Sequence, residues 1–338
     1  MMVKLGIIGL GHMGTYHASV STSISNMELT CIADPNIKNL AKIKSAKVVK
    51  TQNYQEWIDY VDAVIIAVPT SLHFEIAKEC LLRKKHVLLE KPLTRTLEQA
   101  QELFNIAKEN NVSLHVGHVE RFNGAVQELR KIVNNPYLIE CHRLGPFTAR
   151  PQKDSVVLDL MIHDLDIILS LIDSPLKTFN AVGTSIKTNT GDIAIVQLKF
   201  ENGAVANIVS SRVSQIKHRS MSVHQKGCVL QLDYTAQDIS IHSNITDSVK
   251  VSNKQLKYKQ EGTIKRLFVY KDNPLRVEVE NFIKCIRSGK RNLKPEQDMK
   301  ALGLAIEIEN LLLGKKPVKA VDRINHISKN ETSDTPTN

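Results

Sequence analysis

The segment VKLGIIGLGHMG, residues 3–14, constrains the fold more than any other stretch of the chain. An apolar, strand-like run leads directly into Gly9, Gly11 and Gly14, and a helical pattern follows. A GxGxxG turn between a strand and a helix has a mechanical reading. The first glycine permits the tight turn, the second lets the backbone approach a pyrophosphate, and the third allows close helix–strand packing. Amide N–H groups at the start of the helix then face the phosphates. Glycine-rich turns also serve structural ends, so the reading needs support from elsewhere in the chain.

The support is repetition. MELTCIA, VDAVIIAV, HVLLE and VSLHVG follow as further strand-like runs, separated by helical patterns over 37–44, 72–83 and 97–110. Such alternation predicts a parallel sheet covered on both faces, with ligands at the carboxyl ends of its strands. Asp34 closes the second run, twenty residues after Gly14. A carboxylate there accepts hydrogen bonds from the adenosine ribose hydroxyls and repels a 2′-phosphate, which favours NAD over NADP. The structural alternative for Asp34 is a helix N-cap ahead of Pro35.

From Glu120 onward the texture changes. Helical patterns cover 122–133 and 156–172, and residues 177–270 show strand-like segments with turn signals at Asn189-Thr-Gly191 and Glu201-Asn-Gly203. Two more helical patterns, 275–287 and 295–313, close the fold. The expected class is α/β plus α+β: an N-terminal Rossmann parallel sheet over 1–119, then a domain over 120–320 with a largely antiparallel open sheet. Residues 321–338 are polar and aperiodic and are expected to form a flexible tail. The length of 338 residues suits two domains.

Charge and cysteine usage narrow the function. The formal charge is +10, from 45 basic and 35 acidic residues, yet aromatics are 5% and are not interleaved with the basic clusters. That argues against nucleic acid and for capture of a small anionic ligand. Cys31, Cys80, Cys141, Cys228 and Cys285 are odd in number and lack a CxxC pair, as expected of reduced thiols in a cytoplasmic protein. No apolar run approaches the roughly 20 residues of a membrane span, and the N-terminus reads as a buried strand rather than a signal peptide. His73, His115 and His118 lack acidic or cysteine partners at metal-ligand spacing, so no metal is expected.

A second feature lies in VVLDLMIHDLDIILSLI, residues 156–172. At about 100° per residue, Asp159, His163, Asp166 and Ser170 share one stripe of an otherwise apolar helix, while Asp164 points elsewhere. A solvated face would carry long charged side chains, but residues 154–174 contain no Lys, Arg, Glu or Gln. Short polar groups on an apolar helix suit a cavity wall. VPTSLH, 68–73, and EKPLT, 90–94, follow the predicted strands VDAVIIAV and HVLLE at the ligand end of the sheet.

GLGHMG, Asp34, VPTSLH, EKP and Asp159xxxHis163xxAsp166, in this order, resemble the Gfo/Idh/MocA family of NAD(P)-dependent oxidoreductases. The likeness extends to Phe282, Gly289 and Lys294-Pro-Glu-Gln-Asp298. It implies NAD contacts from Gly9, Gly11, His12, Met13, Gly14, Asp34, Pro69, Thr70, His73, Glu90 and Lys91, and oxidation or reduction of a sugar or polyol hydroxyl. It also implies a homo-oligomer, dimer or tetramer, built through the C-terminal sheet. Lys91 and His163 are the implied catalytic pair. His163, with a reference pKa of about 6.5, suits a general base, and Lys91 suits stabilisation of charge on the reacting oxygen. Which of them takes the proton stays open in the sequence, with His163 favoured.

Asp159, Asp166, Arg121, Asn123 and Arg143 are the expected substrate contacts, with Arg150 a further phosphate anchor by virtue of arginine's forked donors. GHVERFNGAV, 117–126, is similar to the GHxERFNPAV segment of the UDP-N-acetylglucosamine 3-dehydrogenase branch, with Gly124 in place of proline. That branch makes a 3-keto sugar nucleotide for a partner aminotransferase, which supplies a diamino sugar to lipid A. The rivals are another sugar, inositol or sugar-acid dehydrogenase, and a non-catalytic NAD-binding regulator. Family members often carry glycines ahead of the aspartate and within DxGxH, where this chain has SVVLDLMIH.

Overall fold

Strands β1 (Val3–Ile8), β2 (Met27–Ala33), β3 (Val49–Thr51), β4 (Ala63–Ile66), β5 (His86–Glu90) and β6 (Leu114–Gly117) form a wholly parallel sheet. Its order is β3-β2-β1-β4-β5-β6. The structure is a computed structural model and describes residues 2–148, 154–252, 255–289, 295–315 and 325. The four residues of β4 are all buried, and β1 and β5 nearly so, as central strands must be when helices cover both faces. Those helices are α1 (His12–Ser21), α2 (Ile37–Leu40), α3 (His73–Leu82) and α4 (Leu97–Glu109). Strand order reverses between β1 and β4, the switch point where such sheets bind ligands.

Two local expectations need correction. The helix expected over 37–44 is the single turn of α2, and its N-cap is Asn36, whose side chain accepts from the Lys38 amide, rather than Asp34. The edge strand β3 carries no period that three residues could display.

The second unit begins with α5 (Gly124–Ile132) and β7 (Leu138–Leu144). A π-helical turn, Val157–Met161, runs into α6 (Ile162–Leu171). Seven strands follow: β8 (Leu176–Thr184), β9 (Ile193–Phe200), β10 (Val205–Ser211), β11 (His218–Gln225), β12 (Cys228–Asp233), β13 (Asp238–Ser252) and β14 (Gln255–Arg266). Together with β7 they make a sheet in the order β14-β13-β12-β11-β7-β10-β9-β8. Every pairing is antiparallel except β7 with β10. Strand β9 shows the logic of a sheet covered on one face: Ala194, Val196, Leu198 and Phe200 are buried, while Ile195, Gln197 and Lys199 point outward.

The π turn changes the expected helix. Its hydrogen bonds span five residues, so the 100° stepping assumed for residues 156–172 applies only from Ile162 onward. Asp159 and His163 are half-buried, Asp166 is 1% exposed, and Ser170 is on the surface. The stripe thus runs from partly open, through closed, to solvent.

The chain returns to the first sheet in α7 (Pro274–Ser288) and α8 (Pro295–Leu312). Asn273 caps α7 by accepting from the Leu275 and Arg276 amides, Pro274 takes the first turn, and Gly289 ends the helix at φ +67°. Val279, Phe282 and Ile283 join the core formed by Leu5, Ile7, Ile65 and Leu88. Met299 and Leu302 of α8 join the opposite core with Leu81, Leu89 and Leu103. Met1–Phe122 and Asp272–Glu307 therefore belong to one compact unit, and Asn123–Lys271 with the end of α8 from Ile308 to the other. The expected second domain of 120–320 had included both helices; their apolar faces are claimed by the first sheet. The expected tail, 321–338, lies outside the described residues apart from position 325.

Candidate active site

The glycine crook explains itself residue by residue. Gly9 sits at φ +88°, and a Cβ there would stand 2.7 Å from the Ala67 carbonyl oxygen. A Cβ on Gly14 would stand 1.9 Å from the Gly9 carbonyl oxygen, so only glycine lets α1 pack this closely. A Cβ on Gly11 would meet nothing within 4 Å. Its need for glycine is not internal, as expected where a ligand approaches the backbone. Helix α1 starts with no side-chain cap and no acidic residue in its first turn, which leaves its amides to an anion. His12 and Met13 occupy that turn, His12 exposed and Met13 half-buried.

Asp34 is tied into the same crook. Its Oδ2 accepts from the Leu10 amide at 2.7 Å, and its Oδ1 accepts from the Asn36 amide at 2.8 Å and Asn39 Nδ2 at 3.1 Å. The carboxylate thus fixes the end of β2 against the glycine turn. These contacts fit a dinucleotide: open space at Gly11, bare helix amides, and a carboxylate one strand away. Asp34→Ala is expected to weaken NAD binding by about 1.5–3 kcal/mol, the worth of hydrogen bonds to a charged group, or roughly tenfold to a hundredfold in Kd. An unchanged Kd by calorimetric titration removes Asp34 from the cofactor site.

The strand-end loops of β4 and β5 are joined by His73. Its ring is buried, with Nδ1 2.8 Å from the Pro92 carbonyl oxygen and Nε2 2.9 Å from that of Val68. Burial holds its pKa below the ordinary imidazole value, against the pull of both carbonyls and Glu90. A neutral ring has one N–H to donate, so it bonds one of the two carbonyls at a time, and the ring packs between VPTSLH and EKPLT with the other carbonyl beside its unprotonated nitrogen. Pro69 and Thr70, in the first of these loops, are exposed and half-buried.

Glu90 ends β5 beside a cis Lys91-Pro92 bond. Its Oε1 accepts from His17 Nε2 at 2.7 Å, and its Oε2 accepts from the Lys91 amide at 3.3 Å. Burial pushes the Glu90 carboxyl up, but the His17 hydrogen bond and the charges of His17, Lys91 and His73 outweigh it, so the group ionises below its ordinary range. A Cβ on Gly117 would come within 3.1 Å of Glu90 Oε2, so β6 gives the carboxylate room by ending in glycine. His17 was not anticipated. The available signal was its place one turn past Met13, on the buried face of α1 with Ala18 and Ser21.

Several expected substrate contacts take other roles. Arg121 pairs with buried Asp298 at 2.6 Å, and His118 lies 4.0 Å from the same carboxylate. Asn123 caps α5, accepting from the Ala125 amide and donating to the Tyr234 carbonyl. Arg143 is 2% exposed; its Nε and Nη2 donate to the two oxygens of Asp164 at 2.7 and 2.9 Å, and its guanidinium lies 4.7 Å over the Tyr234 ring. It is a core cation rather than an accessible phosphate anchor, because its fork faces a buried carboxylate. Asp164, off the expected stripe, is that counter-ion. Arg150 lies outside the described residues.

The π turn is anchored by a cluster that sequence did not reveal. Asp192 accepts from the amides of Ile186, Lys187 and Thr188 and from Arg212 Nε. Arg212 Nη1 in turn donates to the Asp154 carbonyl at 2.9 Å, two residues before the turn begins its approach. Asp159 and His163, half-buried, lie on the segment so fixed. Among the described residues, no group of three or more His, Cys, Asp or Glu side chains is placed to hold a metal, and no helix is long and apolar enough to cross a membrane.

A parallel sheet in this order, with its glycine crook open beside bare helix amides, defines a dinucleotide-binding protein of the Rossmann class. Residues 3–118 match the oxidoreductase family with NAD-binding Rossmann fold, and residues 121–228 match the GFO/IDH/MocA C-terminal domain. The chain belongs to the Gfo/Idh/MocA family, and its N-terminal sheet is an NAD-binding Rossmann domain. It is similar to UDP-N-acetylglucosamine 3-dehydrogenase of Acidithiobacillus ferrooxidans, 33% identical over 242 residues covering 71% of this chain and 77% of the relative. A solved structure of GnnA, the enzyme of that name from A. ferrooxidans, aligns at TM-score 0.80 and 28% identity, covering 92% of this chain and 98% of its own. The scyllo-inositol 2-dehydrogenase (NAD(+)) of Bacillus subtilis is 24% identical over 324 residues, covering 88% of this chain and 90% of its own.

Proposed function

We propose that the enzyme, an NAD-dependent CH–OH dehydrogenase, oxidises the 3-hydroxyl of UDP-N-acetylglucosamine to the 3-keto sugar nucleotide. The observation that carries the substrate is the 33% identity to the A. ferrooxidans enzyme, and GHVERFNGAV supports it. NAD, when bound, supplies the acceptor for the hydride that leaves the carbinol carbon. His163 takes the hydroxyl proton, with Asp159, four residues earlier, orienting the imidazole. Lys91 donates to the oxygen and stabilises its developing charge. Asp166 supports the same helix from its buried position.

The ketone is then a substrate for a transaminating enzyme, and the functional link is to a sugar aminotransferase. The outward face of the eight-stranded sheet, with exposed Val182 and Ile195, is the proposed homo-oligomer surface. The test is absorbance of reduced cofactor from purified protein, NAD and UDP-N-acetylglucosamine, with the aminotransferase or a ketone trap present because oxidation of an alcohol by NAD is uphill. Trap-dependent formation of reduced cofactor is expected. Turnover of a free inositol with none of the sugar nucleotide would replace this reading with the inositol one, which the wider coverage of the B. subtilis relative favours.

A further inference from the structure

Glu278, on the second turn of α7, is 2% exposed, and neither carboxyl oxygen has a hydrogen-bond partner among the described residues. His17 Nδ1, Ser21 Oγ and His115 Nε2, in the same unit, share that condition. His17 and Ser21 lie one turn apart on α1, which packs against α7. The ring of His115, on β6, stands edge-on to Phe282, one turn after Glu278, at 5.1 Å. The far nitrogen of His17 is the one bonded to Glu90. A layer of buried polar atoms thus backs the carboxylate that precedes Lys91.

A carboxylate buried without donors is costly, and a neighbouring carboxylate makes it more so. Burial first, and then the negative charge of Glu90, push the Glu278 carboxyl well above its ordinary range, against the pull of Arg121. Helix α7 packs against α1, which carries His12, Tyr16 and His17, and against the turn 119–122, which carries Glu120 and Arg121, the latter paired with Asp298; His115 stands against Phe282, and the charges that act on Glu278 are those of Glu90 and Arg121. Arg276 and Glu280 of α7 pair with each other. Glu90 is already ionised and His115 is neutral near pH 7, with its pKa lowered to about 4 by burial and the charges of His86 and Arg121. Glu278, buried with no donor to either oxygen, is therefore a proton holder in this set, while buried His17 is engaged by Glu90.

We propose that Glu278 is a proton site coupled to the cofactor: it holds a proton in the free protein and releases it to solvent when oxidised dinucleotide, with its cationic ring, binds at the strand ends. The reduced ring carries no charge and leaves the proton in place. The proposal rests on NAD binding and not on the identity of the sugar. It goes beyond catalysis in making cofactor redox state readable as a proton inside the Rossmann core.

Calorimetric titration of the intact protein with NAD and with NADH, in buffers of different ionisation enthalpy near pH 7 and without sugar, measures protons released per cofactor bound. The expected result is release of up to about one proton with NAD and none with NADH. Glu278→Gln, a neutral isostere, is expected to bind both forms and lose the release. Equal release by wild type and Glu278→Gln, or none from wild type in the presence of saturable NAD binding, overturns the proposal. Failure of NAD to bind at all would instead overturn the cofactor assignment. A wild-type infrared difference spectrum gives an answer independent of folding in the variant: NAD binding should bleach a protonated-carboxyl band, and a band that persists rejects the mechanism.

The same site predicts a stability trend. A carboxyl with a raised folded-state pKa stabilises fully below its unfolded pKa of about 4.3 and loses that contribution as pH rises toward the folded value. The Tm of Glu278→Gln should therefore gain on wild type between pH 5 and pH 8. A constant difference over that range contradicts a buried proton on Glu278.

Discussion

His163→Ala is expected to lower turnover about 10²–10⁴-fold, the usual contribution of a positioned general base, while NAD affinity stays the same. The separation of effects follows from placement. His163 stands on the first turn of α6, whereas the glycine crook and Asp34 belong to the unit built on the parallel sheet. Steady-state turnover and a cofactor titration on one preparation suffice. Unchanged turnover eliminates His163 as the base; a parallel loss of NAD affinity would mean that the imidazole supports binding rather than proton transfer.

Asp164→Ala is expected to destabilise the protein by about 3–5 kcal/mol, the cost of leaving one member of a buried ion pair uncompensated. Arg143 would keep its charge under the Tyr234 ring with its main acceptor gone. Replacing both residues by apolar side chains of similar volume should recover most of the loss, because a buried pair is dispensable where a half-pair is not. Urea unfolding of the two variants measures both quantities. A loss below about 1 kcal/mol, typical of an exposed pair, would refute the core-cation role. It would also reopen the reading of Arg143 as a phosphate anchor.

The sequence showed those parts of the fold that rest on local period. Strands β1, β4 and β5, whose side chains are nearly all apolar, and α4, with Ala100, Leu103 and Ala107 on one face, are visible without any tertiary knowledge. The crook is visible because its glycines are forced by contacts between near neighbours, as the 1.9 Å approach at Gly14 illustrates. What sequence hid was decided by distant partners. Strand β7, LIECHRL, buries Ile139, Cys141 and Arg143 on one face, and a buried arginine disguises the alternation. Only Asp164, twenty-one residues away, makes it a core residue.

The same limit explains His17 and the closing helices. A histidine on α1 gives no sign of Glu90, which lies seventy-three residues along the chain. The amphipathic pattern of α7 predicts a helix with a buried face but does not say which sheet claims that face. In VVLDLMIHDLDIILSLI the polar positions were legible, but the π turn was not, since a single extra residue in a helical turn leaves the composition unchanged.

The return of α7 to the first sheet sets an order of completion. The strands that hold the dinucleotide crook are translated first, yet Leu5, Ile7, Ile65 and Leu88 remain without the side chains of Val279, Phe282 and Ile283 until α7 has left the ribosome. The whole eight-stranded sheet is synthesised in that interval. A premature stop codon after β14 would thus release a chain carrying the complete glycine motif, Asp34 and EKP on an unfinished floor, an apolar surface offered to chaperones instead of a cofactor.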